Sequence, residues 1–307
     1  MLEAQAEVRS APGETLHPGV EAIFRQLNVW DEISSAGFHR HRGIWKGADG
    51  RRTFAPYGRT DERPWLGFQA DRRTLHDILQ RAAMKAGATV IRPMSPRAIV
   101  RAGDHVVGID LGSSQICARW VLDATGRRAW LARALGLVAE RQGPLLRARF
   151  GWSTTEDPGL EGQPQFDRRG DGWDWRAPLG DGRTAWVKLR VTSRQAAAGT
   201  GAFQGLDLTW RRHRACAGPG YFLLGDAAAL LDPSSSNGVL RALMSAIFAI
   251  HLIRGVLRRE ISEPDADAAY MAWIGKLFDS CAAELRELYT WPTPSFAKYS
   301  GSESACL

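Results

Sequence analysis

Leu223-Leu224-Gly225-Asp226-Ala227-Ala228, followed by Asp232-Pro233-Ser234-Ser235-Ser236-Asn237-Gly238 and an apolar helix, is the stretch that decides the fold of this chain. A buried strand that ends in Gly-Asp is typical of the carboxyl edge of a parallel sheet, where ligands bind. Gly225 would let a ligand approach the backbone closely, and Asp226 can accept hydrogen bonds from a polyol chain. Taken alone, each element is equally typical of a plain turn. Their combination at this spacing favours a cofactor site.

The polar loop leads into a helix that we expect to begin near Val239. Ser236 or Asn237 is predicted to cap this helix, because both residue types are favoured at that position. The first N–H groups and the positive dipole end of the helix would then face outward. Such an end suits an anion, and the N1–C2=O edge of a reduced flavin is one.

The rest of the chain mixes short strands with helices. A second apolar strand, Arg119 to Leu122, runs directly into Asp123-Ala124-Thr125-Gly126. Residues 14–33 contain a short helical pattern, and the segment after Asp71 has helical periodicity as far as Gly87. Residues 37–69 and 145–192, and short runs between 89 and 122, alternate as strands do. The order of elements predicts an α/β sheet interrupted by a β-rich insertion. Two C-terminal helices are predicted, from Val239 to about Leu257 and from about Asp265 to Tyr289.

Composition narrows the class of protein. The chain has 307 residues, of which 44% are hydrophobic and 24% charged, as in ordinary soluble domains. Its net charge is +7, but the sequence has no run of five residues of like charge, which argues against a nucleic-acid-binding tail. The four cysteines form no C-x-x-C pair, so we expect reduced thiols, no metal site and a cytoplasmic location. The longest apolar stretch, 242–253, is too short to span a bilayer and predicts a buried helix.

A G-x-G-x-x-G fingerprint on a strand-turn-helix is absent from the expected place in this sequence. This fingerprint binds the pyrophosphate of a dinucleotide through backbone amides at the start of a helix. We expect the βαβ unit that carries it to precede Met1, which would require roughly thirty further residues.

Several motifs together resemble one known family. Gly225-Asp226-Ala227-Ala228 with Asp232-Pro233 and Asn237-Gly238 resembles the second FAD motif of the group-A flavoprotein monooxygenases. The resemblance is closest to the tryptophan-halogenase-like branch, which includes flavoproteins that hydroxylate tryptophan during maturation of quinone-cofactor amine dehydrogenases. Further matches, in the family's order, are residues 13–19 (GETLHPG), 68–72 (FQADR), 121–126 (VLDATG) and 172–178 (GWDWRAP).

The resemblance implies an α/β fold in which two domains interleave. One is an FAD-binding Rossmann-like domain of the glutathione-reductase type, lacking its first strand-turn-helix. The other is an antiparallel β-sheet substrate domain, and helices follow at the C-terminus. We expect the incomplete FAD-binding domain over residues 1–36, 70–140 and 215–260. The substrate domain is expected over 37–69 and 141–214, and the C-terminal helix and tail over 261–307.

The resemblance also implies residues that contact FAD. Glu3 would hold the adenosine ribose hydroxyls, and Arg72 would lie near the pyrophosphate or ribityl chain. Gly225 and Asp226 would contact the ribityl and pyrophosphate groups. The residues that would line the isoalloxazine ring, with the helix amides directed at it, are Pro233, Ser236, Asn237, Gly238 and Val239.

Candidate substrate residues are His17, Trp173 and Trp175, and no catalytic residue can be named. Trp173 and Trp175 share one face of a strand, where simple aromatic packing carries equal weight. His39 and His41 also share a face, but no carboxylate or cysteine accompanies them at metal-ligand spacing, so we expect no metal site.

The implied activity is an FAD-dependent monooxygenase, in which the distal oxygen of a flavin hydroperoxide attacks an aromatic, indole-bearing substrate. That substrate would be a small molecule or part of a peptide or protein. NAD(P)H or a separate flavin reductase would supply electrons. Two alternatives stay open: a flavin-dependent tryptophan-type halogenase, and an inactive relative that only binds a partner. Halogenation is disfavoured because the family's lysine is absent from 38–44 and its glutamate is replaced by Ser235.

Overall fold

The computed structural model of this chain describes residues 1–7, 14–48, 51–61, 63–155, 157–192 and 205–289. These residues form two compact units. The first unit comprises Met1, Gln5–Val90 and Pro144–Leu208. The second comprises Leu2–Ala4, Ile91–Gly143 and the described residues from Thr209 onward.

The helices and strands follow one another in the mixed order that the sequence predicts. In chain order the helices are α1 (Val20–Gln26), α2 (Trp30–Ser35), α3 (Arg72–Lys85), α4 (Trp130–Ala134), α5 (Gly238–Leu257) and α6 (Glu263–Tyr289). The strands are β1 (Glu14–Leu16), β2 (His39–His41), β3 (Gly43–Ala48), β4 (Arg51–Pro56), β5 (Gly67–Ala70), β6 (Ala98–Ala102), β7 (His105–Asp110), β8 (Gln115–Cys117), β9 (Val121–Asp123), β10 (Ala139–Arg141), β11 (Leu145–Ser153), β12 (Gln165–Arg169), β13 (Gly172–Pro178), β14 (Thr184–Thr192), β15 (Leu206–Asp207), β16 (Arg211–His213), β17 (Ala217–Gly218), β18 (Tyr221–Leu223) and β19 (Ala229–Leu230).

The first unit is built on a sheet with the strand order β15-β11-β14-β13-β12-β3-β4. Strands β12 and β3 are parallel, and all other neighbouring strands of this sheet are antiparallel. Successive side chains point to opposite faces of a sheet, so the two faces differ in composition. One face, which we call the inner face, carries buried apolar side chains, including Leu146, Ala148, Trp173, Trp175 and Leu189. The opposite face carries ion pairs such as Arg190–Asp174 and Arg176–Asp167.

A smaller antiparallel sheet of the first unit has the order β1-β5-β2. Helix α3 follows β5 directly and begins as predicted, because the Asp71 side chain accepts a hydrogen bond from the Thr74 N–H at 2.8 Å. The short helical pattern predicted within residues 14–33 is confirmed by α1, and the structure adds β1 before it and the short helix α2 after it. Asn28, with φ +55, lies between these helices and ends the first one.

The second unit contains three small sheets, with the orders β10-β16-β19, β17-β18-β9 and β6-β7-β8. Helix α6 packs on β18, because the buried Tyr270 hydroxyl donates to the Leu223 carbonyl at 2.7 Å and its ring meets Phe222 edge-on at 5.0 Å. Residues 290–307, which include the tail expected at the C-terminus, lie outside the described residues.

Helix α5 is buried along one side and open along another. Leu240, Ala249 and Leu252 are buried, whereas Ile250 and Leu257 are exposed, so the helix is less enclosed than the sequence predicts. Among the described helices, α5 is the one that is long and apolar enough to cross a membrane. Core helices of soluble proteins also meet this criterion of length and composition. This feature alone is weak evidence for a span.

The boundaries of the two units differ from those expected for the domains. Residues 5–36 and 70–90, expected in the FAD-binding domain, belong to the first unit with the β-rich segments. The physical reason is strand pairing: β1 pairs with β5 from Glu14–Ala70 to Leu16–Phe68, and β5 in turn pairs with β2. Sequence periodicity predicts strands in the region of β2 and β5 but not β1, and it does not identify their partners.

Asp267 on α6 provides a test of the packing in the second unit. Its side chain is 6% exposed, and Oδ1 has no hydrogen-bond partner among the described residues. Burial, with Glu263 one turn earlier, raises the pKa of Asp267 to about 7. An aspartate in an unfolded chain titrates near pH ~4, so the folded state retains a proton that the unfolded state releases between these two values. Stability therefore falls as the pH rises from about 4 to about 7, and the full penalty is present above that window.

We expect Asp267→Asn to raise the thermal midpoint clearly at about pH 8 and much less at about pH 5, because the amide carries no charge to bury. Circular dichroism melts at both pH values measure this. Asp104→Asn, at a fully exposed carboxylate, is the control and should change neither midpoint. An equal effect of Asp267→Asn at the two pH values would contradict the assignment.

Candidate functional site

Two parallel strands of the second unit end at the same edge. Strand β9 pairs with β18 from Val121–Tyr221 to Asp123–Leu223, and the Leu224 N–H donates to the Asp123 carbonyl at 2.9 Å just beyond the last pair. The loop after Asp123 and the 3-10 turn Gly225–Ala227 therefore leave the sheet side by side. This is the carboxyl edge that the sequence predicts.

The Asp123 carboxylate is buried and holds the first of these loops. Its Oδ1 accepts the Thr125 N–H at 2.7 Å, and its Oδ2 accepts the Leu131 N–H at 2.8 Å. The Thr125 hydroxyl accepts the Trp130 N–H at 2.9 Å. These bonds tie the end of β9 to the first turn of α4, so Asp123 has a structural role.

Gly225 is required by the packing of α5. Its φ is +52°, and a Cβ built on it would lie 2.9 Å from the Cβ of Ala242. Its N–H donates to the Ser245 hydroxyl at 2.9 Å. The sequence predicts that this glycine makes room for a ligand, whereas the structure shows that the group approaching its backbone is helix α5. Asp226, the next residue, is thereby placed close to the first turns of α5.

Asp232 is a buried anchor for the loop between this turn and α5. Its Oδ2 accepts the Trp210 indole N–H at 2.8 Å and the Tyr289 hydroxyl at 3.1 Å. Its Oδ1 accepts the Ser234 N–H at 3.0 Å, which closes the 3-10 turn that begins at Pro233. Three donors therefore bind the carboxylate of Asp232. This side chain sets the path of the loop, although it is not among the residues predicted to contact FAD.

Helix α5 begins at Gly238, one residue before the predicted start, and no side chain caps it. Asn237 occupies the N-cap position without a capping hydrogen bond, and Ser236 has a left-handed backbone with φ +55°. The expectation that Ser236 or Asn237 caps the helix is therefore wrong. As a consequence, the first-turn amides of α5 receive no side-chain acceptor from that position.

Two polar atoms beside this helix start lack partners. The Ser234 hydroxyl and Asn237 Oδ1 are each buried, and neither has a hydrogen-bond partner among the described residues. A buried polar atom without a partner is costly, and it is a natural place for a bound group to donate or accept a hydrogen bond. Together with the uncapped amides, these atoms offer both donors and acceptors at one point.

Glu3 belongs to the same unit. Leu2 forms a parallel bridge with Ile91, the Glu3 N–H donates to the Ile91 carbonyl at 3.0 Å, and the Glu3 carbonyl accepts the Met94 N–H at 2.8 Å. Glu3 thus lies at the end of a short extended segment, as the resemblance implies. Its role as a ribose ligand stays a prediction.

The remaining predicted residues lie in the first unit. Arg72 is the first residue of α3 and pairs with Glu14 at 3.2 Å. Trp173 and Trp175 are buried on the inner face, where Phe166 packs on them with ring centroids 5.5 and 6.5 Å away. The sequence leaves open whether this tryptophan pair packs in the sheet or contacts a substrate, and the structure shows that both rings make packing contacts.

His17 lies in a half-buried cluster of polar rings with Tyr57 and the buried His41, and the sequence alone pointed only to His17. Its Nδ1 accepts the Gly19 N–H at 3.1 Å, its ring meets Tyr57 edge-on at 5.4 Å, and burial lowers its pKa. The ring of His41 also lies 5.4 Å from that of Tyr57. The cluster was missed because its members are far apart in sequence.

Hydrogen bonds set the protonation state of His41. The Gly43 carbonyl is 3.3 Å from Nδ1 and can only accept, so Nδ1 carries the proton. Nε2 then accepts from the Gln69 amide at 3.3 Å, and Gln69 Oε1 accepts the Thr15 hydroxyl at 3.0 Å. Burial lowers the pKa of His41 to about 4, which keeps the ring neutral.

Lys46 was also missed. It is the register partner of Phe166 in the parallel β3–β12 pair, so its side chain lies on the inner face with Trp173 and Trp175. Burial lowers the pKa of this ammonium group. Strand alternation could have assigned Lys46 to one face of β3, but only the pairing with β12 places it beside aromatic rings.

Parallel strands that end beside an uncapped helix start are typical of α/β proteins that bind phosphate-containing cofactors at that edge. Residues 58–290 match the model of the tryptophan halogenase family. This chain belongs to that family.

The curated relatives are distant in sequence. The chain is 24% identical to the tryptophan 2-halogenase of Chondromyces crocatus, over 84% of this chain and 56% of that protein. It is 26% identical to a Pseudomonas fluorescens chlorinase of 1H-pyrrole-2-carbonyl groups on a peptidyl-carrier protein, over 81% of this chain and 68% of that one. The chain thus spans little more than half the length of the first of these relatives.

Solved structures share the fold. The flavin-dependent halogenase CmlS matches with a TM-score of 0.82 and 21% identity, over 99% of this chain and 61% of that one. The myxobacterial chondrochloren halogenase CndH matches with a TM-score of 0.80 and 22% identity, over 96% and 78%. PqsL of Pseudomonas aeruginosa, described as a probable FAD-dependent monooxygenase, matches with a TM-score of 0.72 and 18% identity, over 94% and 90%.

Asp232→Ala tests the anchor of the α5 loop. We expect it to lower the free energy of unfolding by about 3 kcal/mol, because three donors lose their acceptor in a buried site. Urea denaturation measures the change. Tyr289→Phe removes one of the three bonds and should cost about 1 kcal/mol. If Asp232→Ala is no more destabilising than Tyr289→Phe, the carboxylate is not the anchor.

Proposed function

We propose that this chain forms the core of an FAD-dependent enzyme that oxidises an electron-rich aromatic ring with O₂. The observation that carries this proposal is the uncapped start of α5 next to the Gly225–Ala227 turn, with two partnerless polar atoms beside it. Such a site suits a ligand that has both donors and acceptors and tolerates a positive helix end. The isoalloxazine ring of FAD meets each of these requirements.

The residues present fit this cofactor. Asp226 would accept hydrogen bonds from the hydroxyls of the ribityl chain, and Asn237 Oδ1 would accept one from a ring N–H. Pro233 and Ser236 would line the ring, and the amides of Gly238 and Val239 would face its anionic edge. The resemblance to the family, and not the geometry of this site, supports the assignment of Glu3 to the adenosine ribose and of Arg72 to the pyrophosphate or ribityl chain. When bound, FAD would supply the electrons and the reaction with O₂.

Hydroxylation is the first candidate reaction. The N-terminal strand position that would supply a lysine in a halogenase is occupied by His39, Arg40 and His41. His41 is buried, neutral and hydrogen-bonded at both ring nitrogens, so it cannot replace an exposed amine. Electrons would come from NAD(P)H or from a separate flavin reductase.

Halogenation is the second candidate, and Lys46 favours it. Its side chain lies on the inner face with Trp173 and Trp175. Its lowered pKa increases the fraction of Lys46 that is present as the free, nucleophilic amine. The curated relatives named above are halogenases, which supports this candidate further. The substrate would be an aromatic group, either free or carried on a peptide or protein.

The first experiment tests the cofactor site. Gly238→Asp places a carboxylate in the first turn of α5, where a Cβ meets nothing within 4 Å. The carboxylate should stabilise the helix but repel the anionic reduced flavin, and we expect roughly fivefold weaker binding of reduced FAD with a smaller effect on oxidised FAD. Flavin fluorescence and the midpoint potential of the bound flavin measure this.

Gly238→Ala is the matched control, because it makes the same backbone change without the charge. It should bind both redox forms of FAD as the unaltered chain does. If the unaltered chain binds no FAD, the inactive binding module is the better interpretation. If Gly238→Asp binds reduced FAD as tightly as Gly238→Ala, the start of α5 does not face the ring.

The second experiment separates the two reactions. The chain is supplied with reduced FAD, O₂, bromide and a panel of indoles, phenols and pyrroles, and products are analysed by mass spectrometry. Addition of one oxygen supports hydroxylation, and addition of bromine supports halogenation. For a halogenase we expect Lys46→Met to abolish bromination, with Lys188→Met, an exposed lysine on the opposite face, as the control. Bromination that survives Lys46→Met would contradict the role of Lys46.

A further inference from the structure

The Arg40 side chain of β2 is half-buried in the first unit, and its N–H donors are unused there. Arg40 is the register partner of Phe68 in the β2–β5 pair, and its guanidinium carbon lies 3.9 Å from the centre of the Phe68 ring. Its Nε atom is buried without a partner, and among the described residues no oxygen accepts a hydrogen bond from this guanidinium group. An aromatic ring attracts the cation but offers no oxygen to its N–H groups. These donors are therefore available to a ligand.

Arg25 and Arg63 bring two further positive charges to the same surface. Both bind Oε1 of Glu21, with their Nη2 atoms 2.8 and 3.4 Å away. Arg25 also lies 4.6 Å from the centre of the Trp30 ring, and Arg40 lies 5.8 Å from the same point. The charges of Glu21 and Arg63 both act on Arg40. We call Arg25, Arg40 and Arg63 the arginine cluster.

The arginine cluster carries more positive charge than its described neighbours compensate. Three guanidinium groups surround one carboxylate, Glu21, and Oε1 of that carboxylate already binds two of them. Burial lowers the pKa of Arg40, because its charged form is less well solvated than in water. An anion beside Arg40 would offset this cost, since a desolvated charge is stable only when it is paired.

The chemistry of the cluster selects the anion. A guanidinium group donates two parallel hydrogen bonds to the oxygens of a carboxylate or a phosphate. A carboxylate carries one negative charge, whereas a phosphomonoester carries about −1.5 to −2 near pH 7. Only the second matches the two positive charges that Glu21 leaves uncompensated.

We propose that the arginine cluster binds a phosphomonoester group, with Arg40 as its direct ligand and with Arg25 and Arg63 supplying charge. The cluster lies in the first unit, and none of its residues is among those assigned to FAD. The site therefore goes beyond the proposed function and does not depend on it.

The experiment measures anion binding to the full chain by isothermal titration calorimetry, without FAD and at low ionic strength. Methyl phosphate, dimethyl phosphate and acetate are the probes. Dimethyl phosphate is the matched control ligand, because it keeps the tetrahedral phosphorus but carries only one negative charge. We expect methyl phosphate to bind at least tenfold more tightly than either of the other two.

Substitutions then test the direct ligand. Arg40→Gln removes the donor fork but keeps an apolar stem against Phe68, and we expect it to weaken methyl phosphate binding at least tenfold. Arg40→Lys keeps the charge without the fork and should restore only part of the affinity. Arg51→Gln, at an exposed arginine on the edge strand β4, removes the same charge elsewhere in the unit and should leave the affinity unchanged.

Glu21→Gln gives a result of the opposite sign. It removes the carboxylate that competes with the ligand, so methyl phosphate should bind about fivefold more tightly. A purely structural role of the cluster predicts no such gain. Arg63→Gln, at a side chain that is 69% exposed, should weaken binding about threefold, and it tests the site even if Arg40→Gln does not fold.

Two outcomes overturn the proposal. One is equal binding of methyl phosphate by Arg40→Gln and Arg51→Gln, and the other is binding of acetate as tight as that of methyl phosphate. Inorganic phosphate and AMP identify the source of the group. Tighter binding of AMP supports a nucleotide ligand, and equal binding supports free phosphate. A chain that binds methyl phosphate but no FAD would refute the proposed function and leave this site standing.

Discussion

The contact between Gly225 and Ala242 is the constraint on which the proposed cofactor site depends. Only a residue without a Cβ lets α5 approach the strand end this closely, and the hydrogen bond from Gly225 to Ser245 holds the two together. Because the turn is pinned to the helix one turn after its start, Asp226 and the first amides of α5 stay close. A bulkier residue would move the helix away from the sheet edge and separate the two halves of the site.

Two buried carboxylates hold the loops around this contact in place. Asp123 holds the loop after β9 through two backbone amides, and Asp232 holds the loop before α5 through three donors. Their acceptors are therefore occupied within the protein. The Ser234 hydroxyl and Asn237 Oδ1 have no hydrogen-bond partner among the described residues, and no side chain caps α5.

The first unit contributes aromatic surface and one neutral histidine. His41, Gln69 and Thr15 form a hydrogen-bond chain, and this chain holds the neutral His41 ring in place. A cationic lysine at the position of His41 would require a counter-charge that this chain of groups does not provide. Lys46 instead reaches the inner face from the following strand. Of the two proposed reactions, halogenation would use Lys46 and hydroxylation would not.

The sequence by itself determined the parallel strand ends, helices α3, α5 and α6 and the family, since these depend on local periodicity, on Gly and Asp at strand ends and on motif order. It also placed Gly225, Asp226 and the start of α5 together, because few residues separate them. Only the tertiary structure decided that β1 and β5 pair within the first unit, that Asn237 leaves α5 uncapped, and that Trp173 and Trp175 are packed rather than open. It alone brought His17 and His41 to the two sides of Tyr57. Strand partners and side-chain burial depend on contacts between distant segments, and no local pattern of residues encodes them.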